Sequence, residues 1–296
     1  MSTNGNGNHL SSRAMLVSLS LSLWRARKRD KRVTSETATR YSASEKSGNY
    51  NKRLLPISGA NTYQAVEAAA AAAYEHFRAN TLPWLDGARV CSAANYLTLA
   101  DTVRKDRAAF TAAAEAFRAD LPRLVDAVEA TGTLGDMFDA ADYPEPERLS
   151  ESFTFEFRTL PLPDAADFRV ELGQDEVDAI RAEITAGMEA ALSAATADLF
   201  ERLDVVVGAL HRALTEDGGV VKTATLANVR EVLDVLPRLN LGADARLNEI
   251  HARLVSMLDG VTVQDLSRKA PRTRACVAKR IDAVMADMAA FMGGQS

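Results

Sequence analysis

Only two cysteines occur in the 296 residues, Cys91 and Cys276, and neither sits in a Cys-x-x-Cys pair. Their scarcity excludes a disulfide framework and a zinc knuckle, and it suits a reducing cytoplasm. Long apolar runs are also missing. The nearest, Ala14 to Trp24, falls well short of the ~20 residues that cross a bilayer, so no membrane span is expected. Nor is it expected to be a secretory leader. Serine fills every second place from Ser18 to Ser22, the heaviest positive charge follows the run, and no Ala-x-Ala site is present. Aromatic residues make up 6% of the chain. The common catalytic signatures are absent. No GxxxxGK[ST], GxGxxG, GxSxG or HExxH occurs, which removes the usual phosphate cradle, nucleophile elbow and zincin helix. The four histidines, His9, His76, His211 and His251, have no second histidine or cysteine at ligand spacing. No metal site, cofactor or catalytic residue is therefore expected. His76 and His211 read as surface or half-buried residues beside apolar stripes. Asp136, Asp139 and Asp142 lack the glycine and the distal glutamate of a calcium loop, so they read as a solvated connector.

Charge is distributed unevenly. Residues 25–32 read Arg-Ala-Arg-Lys-Arg-Asp-Lys-Arg, six cations against one anion. Residues 1–53 hold 11 Lys/Arg and 3 Asp/Glu, leaving 24 and 37 for the remainder. A chain split this way presents a cationic end to anions, or to the acidic body of another copy. The candidate binding residues are Arg25, Arg27, Lys28, Arg29, Lys31 and Arg32, with a second cluster at Arg268, Lys269, Arg272 and Arg274. Trp24, Tyr41 and Tyr50 flank the first run as candidate stacking residues. Two plainer readings compete: the run as a solvated guard on a sheet edge, and Trp24 as a core anchor.

Hydrophobic content of 47% with 25% charged residues describes an ordinary folded chain, and its abundant alanine favours helix. The fold class expected is α+β, mostly α: long antiparallel helices with one small antiparallel sheet. Residues 1–12 are polar and rich in Gly and Asn, and are expected to be disordered. Strict alternation of Val17, Leu19, Leu21 and Leu23 with serines predicts a strand over 15–24. Alternation also predicts strands over 152–160 (Phe153, Phe155, Phe157) and 167–172 (Phe168, Val170, Leu172). A further strand is suggested near Val33–Thr39, before a long loop. Tyr63, Val66, Ala70, Tyr74 and Phe77 mark a helix. Tyr96, Val103, Phe110, Phe117 and Leu124, seven residues apart, mark a longer one over 92–130 that packs lengthwise on another helix. Asp106 and Asp120 interrupt its second row, and Pro122 is placed to kink it. A helix of about forty residues after Gly173 needs a partner, most simply the 92–130 helix. Three shorter helices follow Gly218-Gly219. The divisions expected are a mixed domain with a long helical hairpin over 13–217 and a helical part over 220–296.

Several short motifs carry a family resemblance. They are Leu-Val-Ser-Leu-Ser-Leu-Ser-Leu-Trp running into Arg-Ala-Arg-Lys, Lys-Arg-Leu-Leu-Pro (52–56), Ala-Asn-Tyr (94–96), Phe-Arg-Ala-Asp (117–120), Phe-Glu-Phe-Arg (155–158) and Pro-x-x-x-Asp-Phe-Arg (163–169). The chain resembles an uncharacterised bacterial and phage family whose members are often encoded near MoxR-type AAA+ ATPases and von Willebrand A-type proteins. The similarity covers roughly residues 14–210. It implies a phage or prophage setting in a bacterial cytoplasm and, by association, an ATPase partner. It brings no catalytic residues.

The leading expectation is a non-enzymatic, self-associating helical protein whose cationic N-terminal arm docks on acid, either on another copy or on a partner. An acidic receiving patch is expected around Asp136–Glu147. The rival is a single-stranded nucleic-acid binder of annealing type, which requires exposed aromatics beside the basic run.

Overall fold

The structure, a computed structural model, describes residues 10–57, 61–163 and 173–293. The fold is α+β and mostly α, 66% helical, with eight α-helices and a four-stranded antiparallel sheet among the described residues. None of these helices is long and apolar enough to cross a membrane. The elements in order are β1 (Ala14–Ser22), β2 (Arg27–Arg29), α1 (Lys31–Arg40), β3 (Asn51–Arg53), α2 (Tyr63–Ala79), β4 (Leu82–Pro83), β5 (Arg89–Ser92), α3 (Ala93–Ala130), α4 (Pro146–Glu151), β6 (Thr154–Pro161), α5 (Gln174–Thr215), α6 (Thr223–Leu239), α7 (Ala245–Leu258) and α8 (Pro271–Gly293). The sheet order is β4-β5-β1-β6, while β2 and β3 form a separate two-stranded ribbon. β1 and β6 sit where alternation put them. β4 and β5 are additions, too short to show a period. The strand expected over 167–172 lies outside the described residues.

Two compact units make up the chain, and neither is continuous in sequence. The first takes the described residues of Met1–Ser18, Arg78–Leu99 and Arg158–Ser296; the second takes Leu19–Phe77 and Ala100–Phe157. The division expected at Gly218-Gly219 therefore falls inside the first unit, because α5 before it packs on α6 and α8 after it. Of the tail expected to be disordered, residues 1–9 lie outside the described residues. Leu10 is buried in the first unit's core, so order begins before residue 13.

In the first unit, α5 buries Ala191, Ala195, Leu199, Leu203, Leu210 and Leu214 along one face. Its cover comes from α6 and α8, not from the 92–130 helix as expected. Short helices suffice because each buries a narrow stripe, such as Leu226, Val229, Leu233 and Leu236 on α6. α5 ends in a backbone turn with Gly218 at φ +80°. A Cβ on Gly219 would sit 2.7 Å from the Ala213 carbonyl oxygen, so only glycine fits there.

In the second unit, α2 and α3 run antiparallel. Thr62 Oγ1, just ahead of α2, donates to Asp120 Oδ2 at 2.9 Å, and His76 Nδ1 near its end lies 2.9 Å from Asp106 Oδ1. The two aspartates that interrupt α3's second apolar row are thus its tie points to α2. The seven-residue row is buried at Val103, Phe110, Phe117 and Leu124. Trp24 stacks on Phe117 at 5.9 Å, with Tyr63 edge-on to Phe117 at 5.0 Å, and Phe153 closes the aromatic group. Pro122 stays within α3, which continues to Ala130.

Candidate nucleic-acid interface

The basic run is folded into the second unit. Ala26 takes φ +51°, a left-handed conformation that residues with a Cβ rarely adopt. It separates β1 from β2, so the cations build a ribbon of their own instead of extending the sheet. The ladder pairs Arg27 with Arg53, Lys28 with Lys52 and Arg29 with Asn51. Asp30 N–H then donates to the Tyr50 carbonyl at 2.9 Å and closes the ribbon's end.

Past that end the chain is helical where a strand was suggested. Asp30 is the N-cap of α1, its Oδ1 accepting from Val33 N–H at 3.0 Å. Thr34 and Ala38, four apart, supply the buried face, and Thr34 Oγ1 donates to the Asp30 carbonyl at 2.6 Å. Capping outweighs the β preference of Val33 and the threonines. The hydrogen bond from Val33 N–H holds the Asp30 carboxyl below its ordinary range, helped by the charges of Lys52 and Arg32.

Pleating sorts the ribbon's charges, since successive side chains point to opposite faces. One face carries Lys28 and Lys52. Lys52 is 6% exposed, and its Nζ lies 2.5 Å from Asp142 Oδ2, 3.7 Å from Asp30 Oδ2 and 2.5 Å from the Met137 carbonyl. Lys28 lies 3.9 Å from the other oxygen of Asp142. Beside them, Arg32 donates to the Asp136 carbonyl at 3.1 Å. Tyr143 anchors the same connector by donating to the Leu54 carbonyl at 2.8 Å, and burial pushes its hydroxyl up to about 12. Within the acidic patch expected to receive another copy's arm, the Asp142 carboxylate is thus taken by this chain's own lysines, while Arg32 uses only the backbone of Asp136.

The other face carries Arg27, Arg29, Asn51 and Arg53, all exposed. No ion pair to these arginines, to Arg25 or to Lys31 occurs among the described residues. Arg53 and Asn51 were not singled out from the sequence. Their signal was the triplet Asn51-Lys52-Arg53, too short to declare a strand without its partner.

The aromatic candidates divide. Trp24 is half-buried and its ring packs on Phe117 at 5.9 Å, which is the core-anchor arrangement. Tyr41 and Tyr50 are 71% and 41% exposed. Both line a cleft of about 370 Å³ between α1 and the 43–50 loop.

The second cluster belongs to the first unit and the ribbon to the second. Arg274 is used internally: its guanidinium donates to the carbonyls of Ala213 (2.6 Å), Leu214 (2.9 Å), Gly219 (3.0 Å) and Leu266 (3.1 Å). It caps the carbonyl end of α5, where a cation also suits the helix dipole. Arg268, Lys269 and Arg272 remain exposed. Elsewhere, burial pushes the Cys91 thiol up to about 12, which leaves it protonated and unreactive at neutral pH. No group of three or more His, Cys, Asp or Glu side chains among the described residues is placed to hold a metal ion.

The chain matches no protein-family model, no curated protein and no solved structure.

Proposed function

We propose that the protein binds single-stranded nucleic acid through the outer face of the β2–β3 ribbon. The observation that carries this is the sorting of charge across the pleat. Lys28 and Lys52 are matched to Asp142, whereas Arg27, Arg29 and Arg53 share an exposed face without a carboxylate. Guanidinium groups suit phosphate because their forked donors match its oxygens. Exposed tyrosines at the ribbon's end supply the aromatic surface that sequence-tolerant strand binding uses. Docking on an acidic face of a second copy is the weaker reading, since the Asp142 carboxylate in the expected receiving patch already meets Lys28 and Lys52. An AAA+ ATPase partner and a phage setting rest on the family resemblance alone.

Fluorescence anisotropy with a labelled single-stranded oligonucleotide tests the reading. Affinity should fall steeply with salt, with a log–log slope of about −0.7 per phosphate contact. Arg27→Glu, Arg29→Glu and Arg53→Glu together should abolish binding without altering the far-UV spectrum. Unchanged affinity in that variant, or no binding by the intact protein at low salt, overturns it.

A further inference from the structure

We propose that the cleft between α1 and the 43–50 loop is a slot for one unstacked nucleobase, with Lys31 and Lys46 holding the phosphates on either side. This rests on the nucleic-acid reading above and specifies what the ribbon's neighbour does.

Four observations converge on the slot. Its volume of about 370 Å³ lies in the range of small-ligand pockets. Tyr41 and Tyr50 contribute to its lining, and exposed rings of this kind offer faces on which any base can stack. Among the remaining lining residues, the polar ones are unevenly committed. Thr34 Oγ1 is spent on the Asp30 carbonyl and the Tyr50 N–H, and the Ser44 and Ser47 hydroxyls are spent within their own turn. The side chains of Thr37 and Asn49 make no hydrogen bond among the described residues and are exposed. They leave a hydroxyl and an amide for the edge of a base, and an amide offers a donor and an acceptor side by side.

Charge supplies the fourth observation. Lys31 lies three residues before Thr34 and seven before Ala38, which places it on the cleft-facing side of α1. Lys46 falls between the lining residues Ser44 and Ser47. The Arg40 guanidinium lies 6.0 Å from the centre of the Tyr41 ring. No charged side chain lines the slot itself; beside it stand Lys31, Arg40 and Lys46 against Glu36 and Glu45, a net positive surround that suits a base carried on a phosphate backbone. The slot also begins where the ribbon stops, since Tyr50 directly precedes Asn51 and pairs with Asp30. A strand lying on Arg29 therefore has its next nucleotide within reach of Tyr50.

The test uses the full chain with two probes of equal charge: an oligothymidylate of about twelve nucleotides and an abasic sugar-phosphate strand of the same length. The intact protein should bind the base-bearing strand roughly tenfold more tightly, the effect of one stacked base. Tyr41→Ala with Tyr50→Ala should erase that advantage while leaving abasic affinity unchanged. Tyr41→Phe with Tyr50→Phe, which keeps both rings, should retain it. Equal binding of the two strands by the intact protein, or an advantage that survives in the double alanine variant, overturns the slot and leaves the ribbon standing. Failure to bind either strand overturns both.

Discussion

Lys52 shows how much one buried charge constrains at the scale of a residue. It is enclosed with Asp142, Asp30 and the Met137 carbonyl, and removing one partner leaves the others holding an unmatched ion. Asp142→Ala should therefore destabilise the protein by about 3 kcal/mol, measured by urea denaturation. Replacing both charges, with Lys52→Met and Asp142→Leu, should recover much of that loss, because two apolar groups carry no desolvation penalty. None of this was legible from residues 25–32, where Lys28 and Lys52 look no different from the arginines. Only the pairing of β2 with β3 separates them, and that pairing joins positions 24 residues apart through Lys28 and Lys52.

Elements were legible where a period ran long enough to count. The serine alternation of β1 and the seven-residue row of α3 both appear as read, since each repeats a burial pattern over many residues. Short strands were not. Arg27–Arg29 and Asn51–Arg53 have three residues each, and the signal for α1 lay in the single cap at Asp30 rather than in any periodicity. Partner choice was also hidden. The face of α5 announces that something covers it, but α6 and α8 meet it only because the chain turns at Gly218-Gly219 and Arg274 ties that turn down. Gly219→Ala should cost roughly 1–3 kcal/mol by pushing against the Ala213 and Glu216 carbonyls, a loss visible as a lowered melting temperature. An equal or higher melting temperature would show that the turn relaxes freely.

Both units share an acid sensitivity at the scale of the whole molecule. Hydrogen bonds hold the carboxyls of Asp30 and Asp120 in the second unit and Asp265 in the first below their ordinary value of 3.8. For Asp30 the leading cause is Val33 N–H, for Asp120 the Arg123 side chain, and for Asp265 the Thr262 hydroxyl. A carboxyl with a depressed folded value contributes stability that is complete above 3.8 and is lost as pH falls through the folded value. Melting temperatures at pH 7 and pH 5 should then differ little on account of these groups, and should drop by pH 3. A melting temperature unchanged at pH 3 would contradict it. Nothing in the sequence marks the two units: Gly218-Gly219, where a division was expected, lies inside the first, because a unit assembled from separated stretches leaves no boundary in composition.

Translation is vectorial, and that gives the Lys52–Asp142 contact a temporal side. Lys28 and Lys52 emerge from the ribosome well before the carboxylate that faces them. A nascent chain halted short of residue 142 lacks the one carboxylate that both lysines share, and Asp30 alone is left to face Lys52. Selective presentation of arginine is then acquired late in synthesis, when the 135–143 connector closes over the lysines.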